Sequence, residues 1–223
     1  MLRRASIVIL LFVGRRAIMT KKEKGSKGMS TLDEKLTGRG FIVHRFATGE
    51  EAARFVLESI PAGASVGIGG SMTVRALKLD ERLTEKGCTV YWHWTAENKP
   101  EALRRAQQAD VYLSSANAID EDGVLYNIDG TGNRVSALSF GPGEVFVIAG
   151  ANKRVEGGEK AAFERIKTQA CGQNARRLGL NTPCAKLNRC VGEGGCASPQ
   201  RMCNVVQKLE RAPGGRAFHV VLV

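Results

Sequence analysis

The 223-residue chain has no apolar run long enough to cross a membrane, few aromatic residues (6%) and a shortage of acids, with 22 Asp and Glu against 33 Lys and Arg. Its early apolar stretch, Ala5 to Gly14, falls well short of the ~20 residues that a spanning helix needs. Arg3 and Arg4 precede that stretch as in a targeting sequence, but Arg15-Arg16 stands where a small-residue cleavage site belongs. The shortage of acids is local. Residues 1–29 carry +7 of the total +11 and leave only +4 for the remainder, so the excess belongs to a leader and not to a basic face of the folded body. That leader lacks the interleaved aromatics of a single-strand-binding groove, and a nucleic-acid partner is not expected. Also missing are the G-x-G-x-x-G dinucleotide fingerprint, the Lys-Ser/Thr that follows a triphosphate-binding loop, a calcium-loop pattern and paired C-x-x-C zinc ligands.

What is present suits a soluble globular protein: 43% of residues are hydrophobic and the charges are dispersed. The length fits one domain with an appendage. The expected division is a flexible basic leader over 1–30, an α/β core over 31–180, and a cysteine-rich segment with a returning strand over 181–223. Met19 and Met29 are both candidate starts. Cysteines crowded into a basic segment favour thiolate chemistry in the cytoplasm over disulfides.

Strand and helix signals alternate from Phe41 onward. Phe41 to Phe46 reads as a strand, and Thr48 with Glu51 forms a capping box before a helix over 50–60. Pro61 to Gly63 returns the chain to a strand at 65–68. A helix over 72–86 follows, then a strand over 89–92, a helix over 100–108 and a strand over 111–114. Such βα units predict a parallel sheet covered by helices, with ligands at the carboxyl ends of its strands. Trp92 and Trp94 are placed to border that crevice.

The joint of this scheme is VGIGGSMT, Val66 to Thr73. Gly67, Gly69 and Gly70 permit a sharp turn and a close approach, while Ser71 and Thr73 stand at a helix start where backbone N–H groups receive anions. The alternative is a tight βα turn serving the fold alone. A second polar block, Asn117 to Arg134, places Asp122-Gly123 and Asp129-Gly130 around the run Val124 to Ile128, as in a small hairpin. It supplies Asp120 and Glu121 as candidate bases. Asn117, Asn127, Asp129, Thr131, Asn133 and Arg134 form a candidate orienting network, with Thr131 to Asn133 capping a helix. After the apolar strand Val145 to Ala149, Asn152 and Lys153 can reach the same crevice and hold an acidic ligand. A helix over 159–170 leads to Arg176-Arg177, a basic pair for that pocket or for a helix C-terminus.

Near the C-terminus Cys184, Cys190, Cys196 and Cys203 are separated by five, five and six residues. Four soft ligands in one loop suit tetrahedral zinc or an iron-sulfur cluster. Cys171 is a nearby fifth thiol and Cys88 belongs to strand core. The apolar end, Ala217 to Val223, reads as a returning strand on which His219 alternates.

Taken together, GIGGSMT (Gly67 to Thr73), NAIDEDG (Asn117 to Gly123), NIDGTGNRVSAL (Asn127 to Leu138), FGPGEVFVIAGANK (Phe140 to Lys153) and the TPC segment with R-x-C at Arg201 to Cys203 resemble the LUD domain of bacterial lactate-utilisation proteins. The resemblance runs from about Thr31 to Val223. It implies a fold similar to that of phosphosugar isomerases and coenzyme A transferases, with a crevice between the Gly67 loop and the 117–133 region. It also implies a component of lactate oxidation to pyruvate that works with iron-sulfur partner subunits, and it tips the metal from zinc toward iron. The Cys190 to Cys196 interval looks expanded by a Gly-rich insertion. The crevice ligand is expected to be a small acidic metabolite or an unidentified anionic organic cofactor. The alternatives are a stand-alone isomerase- or transferase-like enzyme using Glu121 and a non-catalytic, metal-stabilised assembly subunit.

Overall fold

Thr31 caps the helix α1 (Leu32–Gly38) in a capping box with Glu34. The computed structural model describes residues 31–192 and 196–223, so the basic leader and the middle of the proposed Gly-rich insertion lie outside the described residues. The strands that follow are β1 (Ile42–Arg45), β2 (Ser65–Ile68), β3 (Thr89–Trp92), β4 (Val111–Ser114), β5 (Ala118–Asp120), β6 (Leu125–Asp129), β7 (Glu144–Ala149), β8 (Arg154–Val155), β9 (Val205–Leu209) and β10 (Ala217–Leu222). The helices between them are α2 (Gly49–Ser59), α3 (Met72–Ala76), α4 (Leu79–Glu85), α5 (Lys99–Ala106), α6 (Asn133–Ser139), α7 (Gly158–Arg165), α8 (Cys171–Arg177) and α9 (Pro183–Leu187).

Six strands form a parallel sheet in the order β1-β10-β7-β4-β2-β3. Successive residues of a strand point to opposite faces, and here both faces are covered. Val145 and Val147 pack on one side with Tyr112, Phe218 and Val220. Phe146 and Ile148 pack on the other with Leu113, Ile68 and Val221. Burial of each large side chain in these layers contributes about 1.5–3 kcal/mol, which is why β7 and the end of β10 read as uninterrupted apolar runs. The expected returning strand is β10. It enters the sheet between β1 and β7, so the C-terminal segment supplies an inner strand as well as the cysteine loop.

A smaller sheet, β8-β5-β6-β9, stands beside the first. The hairpin signal at Asp122-Gly123 produces β5 and β6, antiparallel neighbours. β9 adds to the far edge of β6, with Val205 and Val206 exposed.

Three local expectations are corrected. The helix expected over 72–86 is two short helices broken at Lys78, whose φ of 49° is left-handed. The break lets Val74, Leu79 and Leu83 all reach the core while Met72 stays exposed. Thr131 to Asn133 does not cap α6 from its side chains. Instead the Asp129 carboxylate accepts the Arg134 and Val135 N–H groups at 2.9 and 3.0 Å. The helix expected to stop at Ala170 passes through a π-helical turn, Ile166–Ala170, and continues as α8. The capping box of Thr48 and Glu51 is present as expected.

The strand connections position the site. From β2 the chain leaves toward β3 at one edge, whereas from its neighbour β4 it leaves toward the smaller sheet and β7 on the other side. The outgoing loops therefore part at the carboxyl ends of β2 and β4, and a crevice opens between them. At the other end of β7, His219 follows its expected place on β10. Its Nδ1 lies 2.9 Å from His44 Nε2, its ring stacks on Phe146, and Glu144 lies 3.1 Å from its Nε2. Among the described residues no helix is long and apolar enough to cross a membrane.

Candidate functional site: a cationic cleft beside a cysteine cavity

The cleft, about 930 Å³, is lined by the turn after β2 (Gly70, Ser71, Thr73), the segment after β4 (Ser115 to Asn117), the end of β6 and start of α6 (Asp129 to Thr131, Asn133, Arg134), Lys153 after β7, and Trp94 after β3. Helix α8 closes it with Cys171, Asn174 and Arg177.

Its floor is built around Arg134, which is 6% exposed. The Arg134 Nε and Nη2 donate to Asp129 Oδ1 at 2.9 and 2.7 Å. Nη1 donates to the Ser115 carbonyl (2.9 Å) and Asn127 Oδ1 (3.1 Å), while Nη2 also donates to Asn117 Oδ1 (2.7 Å) and the Ile128 carbonyl (3.0 Å). One guanidinium thus ties the loop after β4, the end of β6 and the first turn of α6 into a single piece. Asn127 is completed by Gln207 of β9. Arg165 provides a second tie: its Nε donates to the Asn152 carbonyl at 2.8 Å and its Nη1 to the Asn117 carbonyl, holding the loop that carries Lys153 against the Asn117 segment.

The glycines divide between packing and site. A Cβ on Gly67 would stand 2.4 Å from the Ala106 carbonyl, so this residue lets α5 lie on β2 and does not line the cleft. One on Gly69 would press on Tyr112 and the Arg134 stem at 3.0 and 3.1 Å, so Gly69 makes room for the floor arginine. Gly70 does line the cleft, with the Trp94 indole 3.4 Å from its Cβ position. Ser71 spends its hydroxyl on capping Val74 N–H, and α3 has only five residues, so the expected helix-start anion receptor is reduced to the open end of the turn.

Both candidate bases are placed elsewhere. Asp120 is buried, accepting from Asp122 N–H, Val124 N–H and the Tyr126 hydroxyl, and it shapes the β5–β6 turn. Glu121 accepts the N–H groups of Gly157 and Gly158 at 3.1 and 3.2 Å. Its own N–H, then those of Gly158 and Gly157, hold its carboxyl below the usual range. Neither lines the cleft, which corrects the expectation that they share it with Asn117 and Asn133. Asp120 satisfies backbone donors two and four residues on, as turn aspartates do, whereas Glu121 is taken up by backbone donors at the start of α7, 36 and 37 residues away. Asn127 is buried in the floor and Asn152 is exposed outside the cleft. Thr131 donates to Asn133 Oδ1 at 2.7 Å on the rim.

What remains in the cleft is strongly cationic. Asp129 is the only acid among its lining residues and is neutralised by Arg134. Lys153 is half-buried, and burial, followed by the charges of Arg165 and Arg134, brings its ammonium down to about 8. His93 is held below its ordinary value by burial and then by Lys99, and its buried Nδ1 has no partner among the described residues. Both effects favour the neutral imidazole. Arg75, Lys99 and Arg177 add positive charge. Of these groups, Trp94 and Arg177 are expected from sequence. Arg75, Arg165 and His93 are not, although Arg165 falls on the same helical face as buried Ala162 and Ile166, where an arginine signals a buried tie.

Behind α8, Cys184, Cys190, Cys196 and Cys203 line one small cavity of about 30 Å³. Cys171 joins them and is shared with the cleft. The six cysteines are all free, and Cys88 is buried in the core but sits just before β3 and not within it. Arg201 Nε lies 3.2 Å from Cys203 Sγ, and Thr182 Oγ1 lies 3.3 Å from Cys184 Sγ. Burial and then the neighbouring Cys203, Cys184 and Cys190 push the Cys171 thiol up to about 12. The donor set, thiols converging on one cavity, fits a soft metal. Among the described residues no three of the acidic, His or Cys side chains already stand as a ligating group, so metal binding would draw the thiols together.

Three comparisons bear on this arrangement. The LUD domain family matches residues 29–223. Among solved structures, a DUF162 family protein from Deinococcus radiodurans is similar, with 11% identity, a TM-score of 0.45, and coverage of 86% of this chain and 94% of that one. No curated protein matches.

The floor makes a direct prediction. Arg134→Met leaves Asp129 buried without a counter-charge and should cost about 3–5 kcal/mol of stability, measured by urea unfolding. A loss within error of zero would show that the pair does not hold the loops.

Proposed function

The chain belongs to the LUD domain family, associated with lactate utilisation, and on that premise we propose that it is a component of lactate oxidation that binds the small carboxylic acid in its cleft. The observation that carries this reading is Lys153, a half-buried cation with no acid beside it among the described residues, in a cleft whose one lining carboxylate among them is already neutralised. Burial of an ammonium is unfavourable unless an anion completes it, and a carboxylate does so with a charge-assisted hydrogen bond. The Arg134 and Arg165 ties hold the surrounding loops, so the receptor is formed before the ligand arrives. Asn117, Asn133 and Thr131 supply neutral polar groups for a hydroxyl or keto oxygen. Lactate releases two electrons and two protons in becoming pyruvate, and in this reading the electrons leave to iron-sulfur partner subunits.

Cys184, Cys190, Cys196 and Cys203 would hold a metal centre, an iron-sulfur cluster in preference to zinc. A cluster would supply electron storage, whereas zinc would clamp the segment. The chain's own part is binding and orientation. The alternative of an isomerase- or transferase-like enzyme using Glu121 loses support because that carboxylate caps the start of α7.

Calorimetric titration with pyruvate or lactate should give saturable binding, weakened about 10- to 100-fold in Lys153→Met, the range expected for one hydrogen bond to a charged group. Because the Lys153 pKa is depressed, the side chain is charged below about 8 and neutral above it. Wild-type affinity should therefore hold at pH 6–7 and fall as pH rises past 8, and K153M should lose that slope. Equal binding by both proteins would remove Lys153 from the site. For the cysteines, anoxically prepared protein should carry iron and acid-labile sulfide, reduced by Cys203→Ser or Cys184→Ser and unaffected by Cys88→Ser. Zinc without sulfide would favour the clamp, and absence of metal from fresh protein would end the joint-site reading.

A further inference from the structure

The cleft has a second cationic pole that a carboxylate at Lys153 leaves unused. The Arg177 guanidinium lies 4.6 Å over the Trp94 ring, and Asn174 Oδ1 accepts from its Nε and one Nη at 3.2 and 2.6 Å. Trp94 is itself stacked on buried Trp92, with ring centres 5.0 Å apart. The planar cation is therefore laid on a fixed aromatic platform and held along one edge, while its other N–H groups are left to the cleft. Burial, and then the charge of Arg75 from α3, hold Arg177 below its ordinary value, and both residues are exposed. Both line the cleft, and among the described residues neither has a carboxylate within ion-pairing distance.

Two guanidiniums lining one cleft gain most from an anion that answers both. A carboxylate carries one charge and is satisfied by a single planar fork. A phosphate ester carries nearly two charges and three strong acceptor oxygens. Arginine is the side chain whose planar fork suits that group and whose face suits an indole. The volume of about 930 Å³ also lies toward the upper end of the ~300–1,000 Å³ range of pockets that take drug-sized ligands, far more than a three-carbon acid fills.

We propose that Arg75 and Arg177, with Trp94 as platform, form a phosphate subsite, so that this cleft takes a ligand bearing a phosphate ester or diphosphate. The subsite lies beyond the carboxylate assignment and can fail without it. The phosphoryl group has two sources, a phosphorylated organic acid or a phosphate-bearing cofactor, and the same dianion recognition serves either.

The test uses the full chain, titrated by calorimetry with inorganic phosphate, pyrophosphate, 3-phosphoglycerate and ADP. Tryptophan fluorescence is read in parallel, since the chain's two tryptophans both stand at this pole. At least one phosphate compound should bind saturably and change the emission. Arg75→Ala and Arg177→Ala should each weaken it by about tenfold or more, the usual effect of removing a charge-assisted hydrogen bond. Arg177→Lys should weaken it as well, because an ammonium cannot lie flat on the indole. Preference for 3-phosphoglycerate over ADP would assign the source to an organic acid, and the reverse preference to a cofactor. No binding of any of the four at millimolar concentration, or wild-type affinity in the doubly substituted R75A/R177A protein with unchanged circular dichroism, would overturn the subsite. Pyruvate binding that persists in such a case leaves the carboxylate reading standing. Phosphate binding without pyruvate binding removes that reading and keeps this one.

Discussion

One buried ion pair, Arg134 with Asp129, makes the cleft possible. Both side chains are less than a tenth exposed, and an arginine so enclosed is tolerable only if its donors find acceptors. It finds them on two elements, the loop after β4 and the strand β6, and so ties both to α6, the helix that carries it. Asp129 performs the reciprocal service by capping α6 with its second oxygen. Gly69 belongs to the same constraint, because a side chain there would displace the Arg134 stem. The polar block is therefore largely interior, satisfied by its own groups together with Gln207 and Arg165, and rigid enough to place other groups.

Those other groups carry an excess of positive charge. With Asp129 neutralised, Lys153 at one end and Arg75 with Arg177 have no acid to answer them among the described residues. The thiol cavity lies against the same helix, and Cys171 faces both spaces at the junction where a π-helical turn gives way to α8. Met202, next to Cys203, forms part of the cleft wall. The cysteine cavity and the cleft thereby share a wall at Cys171.

Much of the architecture was legible because it rests on local chemistry. Apolar runs marked β4, β7 and β10, and Thr48 with Glu51 announced α2. What escaped the sequence was long-range pairing. Nothing near Val205 says that it will edge β6, since its partners are more than 70 residues away. The site was half legible for the same reason. Asn117, Asn133, Arg134 and Lys153 reach the cleft, whereas Asp120 and Glu121, with equally suitable chemistry, turn to nearby backbone donors. Gly67 shows the limit of composition as evidence, because a glycine needed for helix packing looks the same as one needed for ligand approach.

The central claim is that the Arg134 scaffold presents Lys153 to an acidic ligand, and a crystal structure of the protein soaked with pyruvate tests it most directly. The account predicts a carboxylate within hydrogen-bond distance of Lys153 Nζ, between the Gly70 turn and the Asn117 segment, with the Arg134 contacts unchanged. Pyruvate ordered elsewhere with Lys153 left to solvent, or bound only after the Arg134–Asp129 pair had opened, would contradict it.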